Sequence, residues 1–171
     1  LRQNVDRSFR RGLEIDFGWN IMERLNWSAN VTLSQNQIKE FNETLYDYTN
    51  GYDIIKNGYT NTDIAFSPSM VAASQLTYRI RLRNNEFVEL GWMAKYVGQQ
   101  FMDNTGNSDR ALDAYLVNDA RLTYTLLNRG LKEFRVNLLV NNFLSEEYSS
   151  NGYTYSYIYG QQITENFYYP Q

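Results

Sequence analysis

The sequence contains no cysteine and no histidine, and only 2 of its 171 residues are proline. Without cysteine there is no disulfide framework, thiolate nucleophile or cysteine-based zinc site. Without histidine, Ser-His-Asp catalysis and imidazole ligation are unavailable. A strong excess of either charge is missing as well: 16 Lys and Arg stand against 19 Asp and Glu, giving a net charge of -3 and a pI near 5.0. With no Lys/Arg cluster, this balance argues against a nucleic-acid partner. Long apolar runs are also missing. Met70 to Ala73 is among the longest, far short of the ~20 residues of a transmembrane helix. A bilayer is not thereby excluded, because membrane-spanning β-strands hide apolar residues at every second position and keep the average low. The mean hydropathy of -0.57 is compatible with that. The chain opens on Leu-Arg-Gln-Asn, with no charged segment leading into an apolar one, and is expected to be a mature or excised piece.

What is abundant is aromatic: 15 Tyr, 9 Phe and 3 Trp make up 16% of the chain. Their placement follows period two. Leu13, Ile15, Phe17 and Trp19 share one face of a strand, against Glu14, Asp16, Gly18 and Asn20 on the other. Trp27, Ala29, Val31 and Leu33 then oppose Ser28, Asn30, Thr32 and Ser34, as the second strand of a tight hairpin. The same signature recurs over residues 72 to 82, 88 to 96, 119 to 126 and 134 to 141, with turns at Arg83-Asn84-Asn85 and at Asn128, Arg129 and Gly130. Six strands are predicted.

Summing the faces decides what surrounds them. The first face carries no charge at all, and Ser74 is its only small polar member. The second holds Glu14, Asp16, Arg79, Arg81, Glu89, Lys95, Asp119, Arg121 and Arg135. A soluble antiparallel sheet alternates too, with one face on a core and one in water. These strands, however, run about nine to thirteen residues, where globular strands average about five or six and membrane strands need about 9 to 11. Trp19, Trp27, Trp92, Tyr78, Tyr96, Tyr124 and Phe134 all lie on the uncharged face, several near strand ends, as interfacial girdles do. Leu13, Ile15, Phe17, Leu76, Leu90, Trp92, Leu122, Val136 and Leu138 are therefore expected to face lipid. Glu14, Arg79, Lys95, Arg121 and Arg135 are expected to face a lumen.

The connections are asymmetric. Those after the first, third and fifth strands are a few residues long; those at residues 37 to 65, 99 to 113 and 145 to 166 are long. In a meander, alternate links share an end, so all the long links fall on one side, as in outer-membrane barrels. Trp19 and Trp27 flank one short turn and are expected at that end. Six strands are too few to close, since the smallest such barrels have about eight. An open edge in lipid would cost several kcal/mol per unpaired group.

Three stretches carry a family resemblance: Lys95 to Thr105, Leu112 to Tyr124, and Val136 to Tyr148, which loosely follows an Asn-[Leu/Ile]-Phe-[Asn/Asp]-x-x-Tyr signature with Phe143, Leu144 and Ser145 in its middle places. With Asn151 to Tyr157 and the terminal Tyr168-Tyr169-Pro170-Gln171, they resemble the C-terminal barrel of TonB-dependent outer-membrane receptors, especially the Bacteroidetes type. The resemblance implies an all-β, antiparallel up-and-down meander of six long strands, a fragment of a transmembrane β-barrel of about 22 strands in the Gram-negative outer membrane. Residues 1 to 171 would be a C-terminal segment of that barrel, with Tyr168 to Gln171 as the lead-in to the last strand; the plug domain and TonB box are not in this chain. The implied function is energy-coupled uptake of a bulky nutrient: a siderophore, glycan, cobalamin or peptide. The implied partners are outer-membrane lipid, the TonB complex acting through the plug, the nutrient, and a surface lipoprotein. The alternative is a soluble β-rich carbohydrate-binding or surface module with aromatic loops.

No cofactor, resident metal or catalytic residue is expected. Asp103-Asn-Thr-Gly-Asn-Ser-Asp109 has the oxygen donors of a calcium loop, but Ser108 stands at the sixth place, where an EF-hand needs Gly; a solvated loop is expected. Glu146-Glu147, or Asp47 with Asp53, lack a reason for the raised pKa that a glycosidase acid needs. The long links are rich in tyrosine: Tyr46, Tyr48, Tyr52 and Tyr59 in one, Tyr153, Tyr155, Tyr157 and Tyr159 in another. Such rigid amphipathic rings suit substrate binding, or else pack the loops on one another.

Overall fold

The computed structural model describes residues 7–127, 130 and 132–171; Asn128 and Arg129, expected in a turn, lie outside the described residues. Eleven strands follow in order: β1 (Ser8–Met22), β2 (Leu25–Asp47), β3 (Asp53–Asp63), β4 (Met70–Arg83), β5 (Glu86–Val97), β6 (Gln100–Phe101), β7 (Ala111–Leu112), β8 (Tyr115–Leu127), β9 (Glu133–Val140), β10 (Ser149–Tyr159) and β11 (Gln161–Pro170). A 3-10 turn at Ser108–Arg110 sits between β6 and β7.

The wall is the expected meander. β1, β2, β4, β5, β8 and β9 pair antiparallel, each with the next, into one curled half-barrel. A single rung crosses all six: Trp19 opposes Trp27, then Leu76, Trp92, Ala120 and Val140. The next rung is Asn20, Asn26, Thr77, Gly91, Arg121 and Leu139. Directly opposed residues share a face, so the register joins the separate alternations into one apolar and one polar surface. Leu13 at 58%, Trp92 at 47% and Leu138 at 59% exposure show that no second layer of the described residues covers the apolar side. A depression of about 580 Å³ opens on the other side, lined by Asp16, Ser28, Asn30, Gln75, Lys95 and Asp119. Phe17, Ala29, Ser74 and Ala94 of the apolar face also line it, but most of the lining belongs to the polar face, which is the lumenal side of the half-barrel. Trp19 and Trp27 stand close to the Glu23-Arg24 turn, at the short-turn end.

Two details depart from a simple alternation. Asn118 opposes Ala94, which puts it on the apolar face, and there its Oδ1 accepts the Trp92 indole N–H at 3.0 Å. Ser74, on the same face, accepts the Trp27 indole N–H at 2.9 Å. These two oxygens are each capped by a neighbouring indole donor, which removes the cost of an unmade bond in hydrocarbon.

The first and last long connections are paired strands rather than loops, and this corrects the expectation for them. β2 runs 23 residues and continues past the wall to pair with β3, so residues 37–47 and 53–63 form an arm. β6 pairs with β7 across the middle connection. β10 and β11 make a hairpin turned at Gly160, whose φ of 69° suits a residue without a Cβ. Tyr168 to Pro170, expected to lead into a further strand, close the rungs of β11 against β10. Among the described residues no pairing joins β1 to β9.

Candidate functional site

The arm and the hairpin form a cap over the long-connection end, and the buried apolar side chains Ile38, Leu45, Met102 and Leu112 lie in it. Gly152 of β10 is part of that packing: a Cβ there would meet Phe167 O at 2.6 Å and Met102 Sδ at 2.8 Å. The tips of arm and hairpin are tied. Tyr48 N donates to Ile158 O at 2.9 Å, Gly160 N donates to Thr49 Oγ1 at 2.8 Å, and Ile158 pairs in parallel with Asp47.

Of the four tyrosines in the arm, three come together. Tyr52 stacks on Tyr46 at 5.6 Å and lies 5.9 Å from Tyr48, all three exposed around the tip. Tyr59 sits apart, beside Phe41, and donates its hydroxyl to Glu43 Oε2 at 2.9 Å. Burial, then the bond to Glu43, pushes that phenol above its usual range. At the same tip Thr49 donates to Asp47 Oδ1, holding the Asp47 carboxyl below its usual range. Asp47 opposes Asp53, but a lowered pKa is the reverse of what a glycosidase acid requires.

Tyr153, Tyr155, Tyr157 and Tyr159 alternate along β10 and share one face of the hairpin. The other face, carrying Gly152, Thr154, Ser156 and Ile158, turns toward the cap interior. Phe167 opposes Tyr153 and stacks on it at 4.8 Å with planes 8° apart; Tyr155 lies 6.1 Å from Phe167 at 7°. Tyr169 extends the row at 6.3 Å from Tyr153. These two β11 aromatics were not picked out from the sequence, because only the hairpin register brings them beside the tyrosines. The Tyr155 and Tyr157 phenols are pushed up, first by hydrogen bonding with Glu165, whose Oε1 accepts from Tyr157 at 3.2 Å. Rings stacked this closely offer edges and hydroxyls outward, while Tyr159 at the tip, 66% exposed, has no ring contact. No ring contact links the arm's cluster to the hairpin's among the described residues.

The middle connection contributes no tyrosine; Gly106 to Asp109 are exposed, as expected of a solvated loop, while its side chains hydrogen-bond within it. Asp103 Oδ1 accepts from Thr105 N at 3.0 Å and Thr105 Oγ1 at 2.6 Å, and Asn107 Oδ1 accepts from Asp109 N at 2.9 Å. Asp103 Oδ2 accepts from Arg110 Nη1 at 2.7 Å. Both carboxylate oxygens are therefore taken by protein donors. Burial pushes the Arg110 guanidinium down, but the bonds to Asp103 and Glu43 outweigh it and the net shift is upward.

An uncovered apolar belt outside, a polar lumenal face inside and an ordered cap on the long-link end together define a membrane-spanning antiparallel β-barrel wall. That surface is also what the soluble carbohydrate-binding alternative lacks an account of, since a water-soluble sheet buries its apolar face. The chain belongs to the family described as TonB dependent receptor-like, beta-barrel, which matches over residues 1–143. This is an outer-membrane family of transport receptors, not of enzymes. The match takes in the whole wall and stops before β10 and β11. No curated protein matches the chain.

Proposed function

We propose that the chain supplies wall and cap to a receptor of the Gram-negative outer membrane that imports a bulky nutrient, a siderophore, glycan, cobalamin or peptide. Import is driven by the TonB complex through a plug carried elsewhere in the protein. The nutrient first lodges on the tyrosines of the arm and hairpin, and a surface lipoprotein over the cap is a further partner. The observation that carries the reading is the row of exposed rings on β10 and β11, rigid and ending in hydroxyls, on the side of the wall where the long links gather. Rings held by one another lose little entropy when a ligand docks.

The test is equilibrium binding of those four ligand classes to the intact receptor in detergent, with and without Tyr155→Ala and Tyr159→Ala together. One class is expected to bind, and the double variant to weaken it by about tenfold or more. Unchanged affinity would reduce the tyrosines to packing groups.

A further inference from the structure

Arg110 is the one charged side chain among the described residues that is fully buried, at 2% exposure. Its guanidinium touches three stretches of chain far apart in sequence. Nη1 donates to Glu43 Oε1 of the arm at 2.6 Å and to Asp103 Oδ2 of its own connection at 2.7 Å. Nη2 donates to Thr164 Oγ1 of β11 at 3.4 Å. Glu43 in turn holds the Tyr59 hydroxyl, and Asn166 Nδ2 of β11 donates to Asp109 O beside the arginine at 2.7 Å. A planar fork with donors on several sides can hold partners in fixed directions, which a lysine point charge cannot. The Arg110 Nε is buried with no partner among the described residues, so the charge depends on the bonds that the two Nη atoms make. Otherwise β10 and β11 meet the rest of the chain sparsely: one parallel pair at the tip, two tip hydrogen bonds, and Gly152 against Met102 and Leu112.

We infer that Arg110 is a positioning residue which locks the tyrosine-bearing arm to the tyrosine-bearing hairpin, so that the three long connections behave as one rigid cap instead of three independent loops. Its value for nutrient binding rests on the function proposed above; the rigidity itself does not. A cap fixed before the ligand arrives spares the ligand the cost of ordering it.

Amide hydrogen exchange on the intact receptor, without nutrient, separates the two claims. Arg110→Gln is expected to speed exchange in β3 and β11 together, on the order of tenfold or more, since it leaves the part-buried carboxylates of Glu43 and Asp103 without their cation. The amides of β4, β5 and β8 should keep their rates. Arg110→Lys, which keeps the charge but loses the fork, should not restore slow exchange in both segments. Should Arg110→Gln fail to insert, Glu43→Gln is expected to loosen β3 chiefly and Thr164→Val to loosen β11 chiefly. Faster exchange confined to residues 100–112 in the arginine variants, or unchanged rates in both single-contact variants, would overturn the inference. Because no nutrient is present, either result stands whatever the tyrosines bind.

Discussion

The wall and the cap share one continuous strand, β2, yet they are held together differently. In the wall, apolar side chains point outward and none is buried except Val97 at the long-link end of β5, whereas the buried apolar side chains Ile38, Leu45, Met102 and Leu112 belong to the cap. The wall relies on lipid to receive its apolar face, whereas the cap, standing in water, has to build a core of its own. β2 shows the change of medium along a single strand. Its first residues alternate Trp27, Ala29, Val31, Leu33 against polar neighbours, and beyond Ser34 the pattern dissolves into a polar stretch that is still strand.

If that contrast is right, damage to one region should spare the other. The largest effect is expected from Leu112→Ala, which opens a cavity under Gly152 and Met102 in a core too small to repack. It should cost the cap about 2 to 5 kcal/mol, read as faster exchange in β10 and β11 while the wall's heat-resistant migration in detergent gels is unchanged. Next, Leu122→Arg on the lipid face should destabilise the folded receptor by about 2 to 4 kcal/mol in bilayer unfolding titrations. Asn30→Arg, exposed on the lumenal face of β2, should cost far less. Equal costs would break the distinction between the two faces. Trp92→Phe should cost about 1 to 3 kcal/mol, because it leaves Asn118 Oδ1 without its donor on the apolar side. Trp92→Phe combined with Asn118→Ala should recover part of that loss.

The smallest effect concerns pH. The phenol of Tyr157 titrates above its usual range because the neutral form bonds Glu165. The bond is complete below the ordinary tyrosine pKa and is lost as pH rises through the raised one. In a tyrosinate absorbance titration, Glu165→Gln should bring the Tyr155 and Tyr157 midpoints back down. No change would show that Glu165 is not their partner.

The wall was legible because two media act on alternate residues: Glu14 beside Ile15, or Arg121 beside Leu122, leaves little freedom in phase. The arm was not, since Gln35 to Thr44 offers only Ile38 and Phe41 as apolar residues, one on each face, so no alternation marks it as strand until its pairing with β3 is seen. Asn118 was passed over because one residue more of alternation would have set an amide on the lipid face, and only the diagonal placement of Trp92 makes that tolerable. Of the candidate tyrosines, the two clusters were legible as clusters, but Tyr59 belongs with Glu43, and Phe167 and Tyr169 join by register alone. Arg110 left no local signal: its partners lie 67 and 54 residues away.

The central claim, that one face of this sheet meets lipid, is tested most directly by spin labels placed singly at residues 13 to 20 of β1 in the intact receptor in bilayers. Collisions with oxygen, concentrated in lipid, should peak at Leu13, Ile15, Phe17 and Trp19, and collisions with a water-soluble nickel complex at Glu14, Asp16, Gly18 and Asn20. A flat profile, or the two phases reversed, would contradict it.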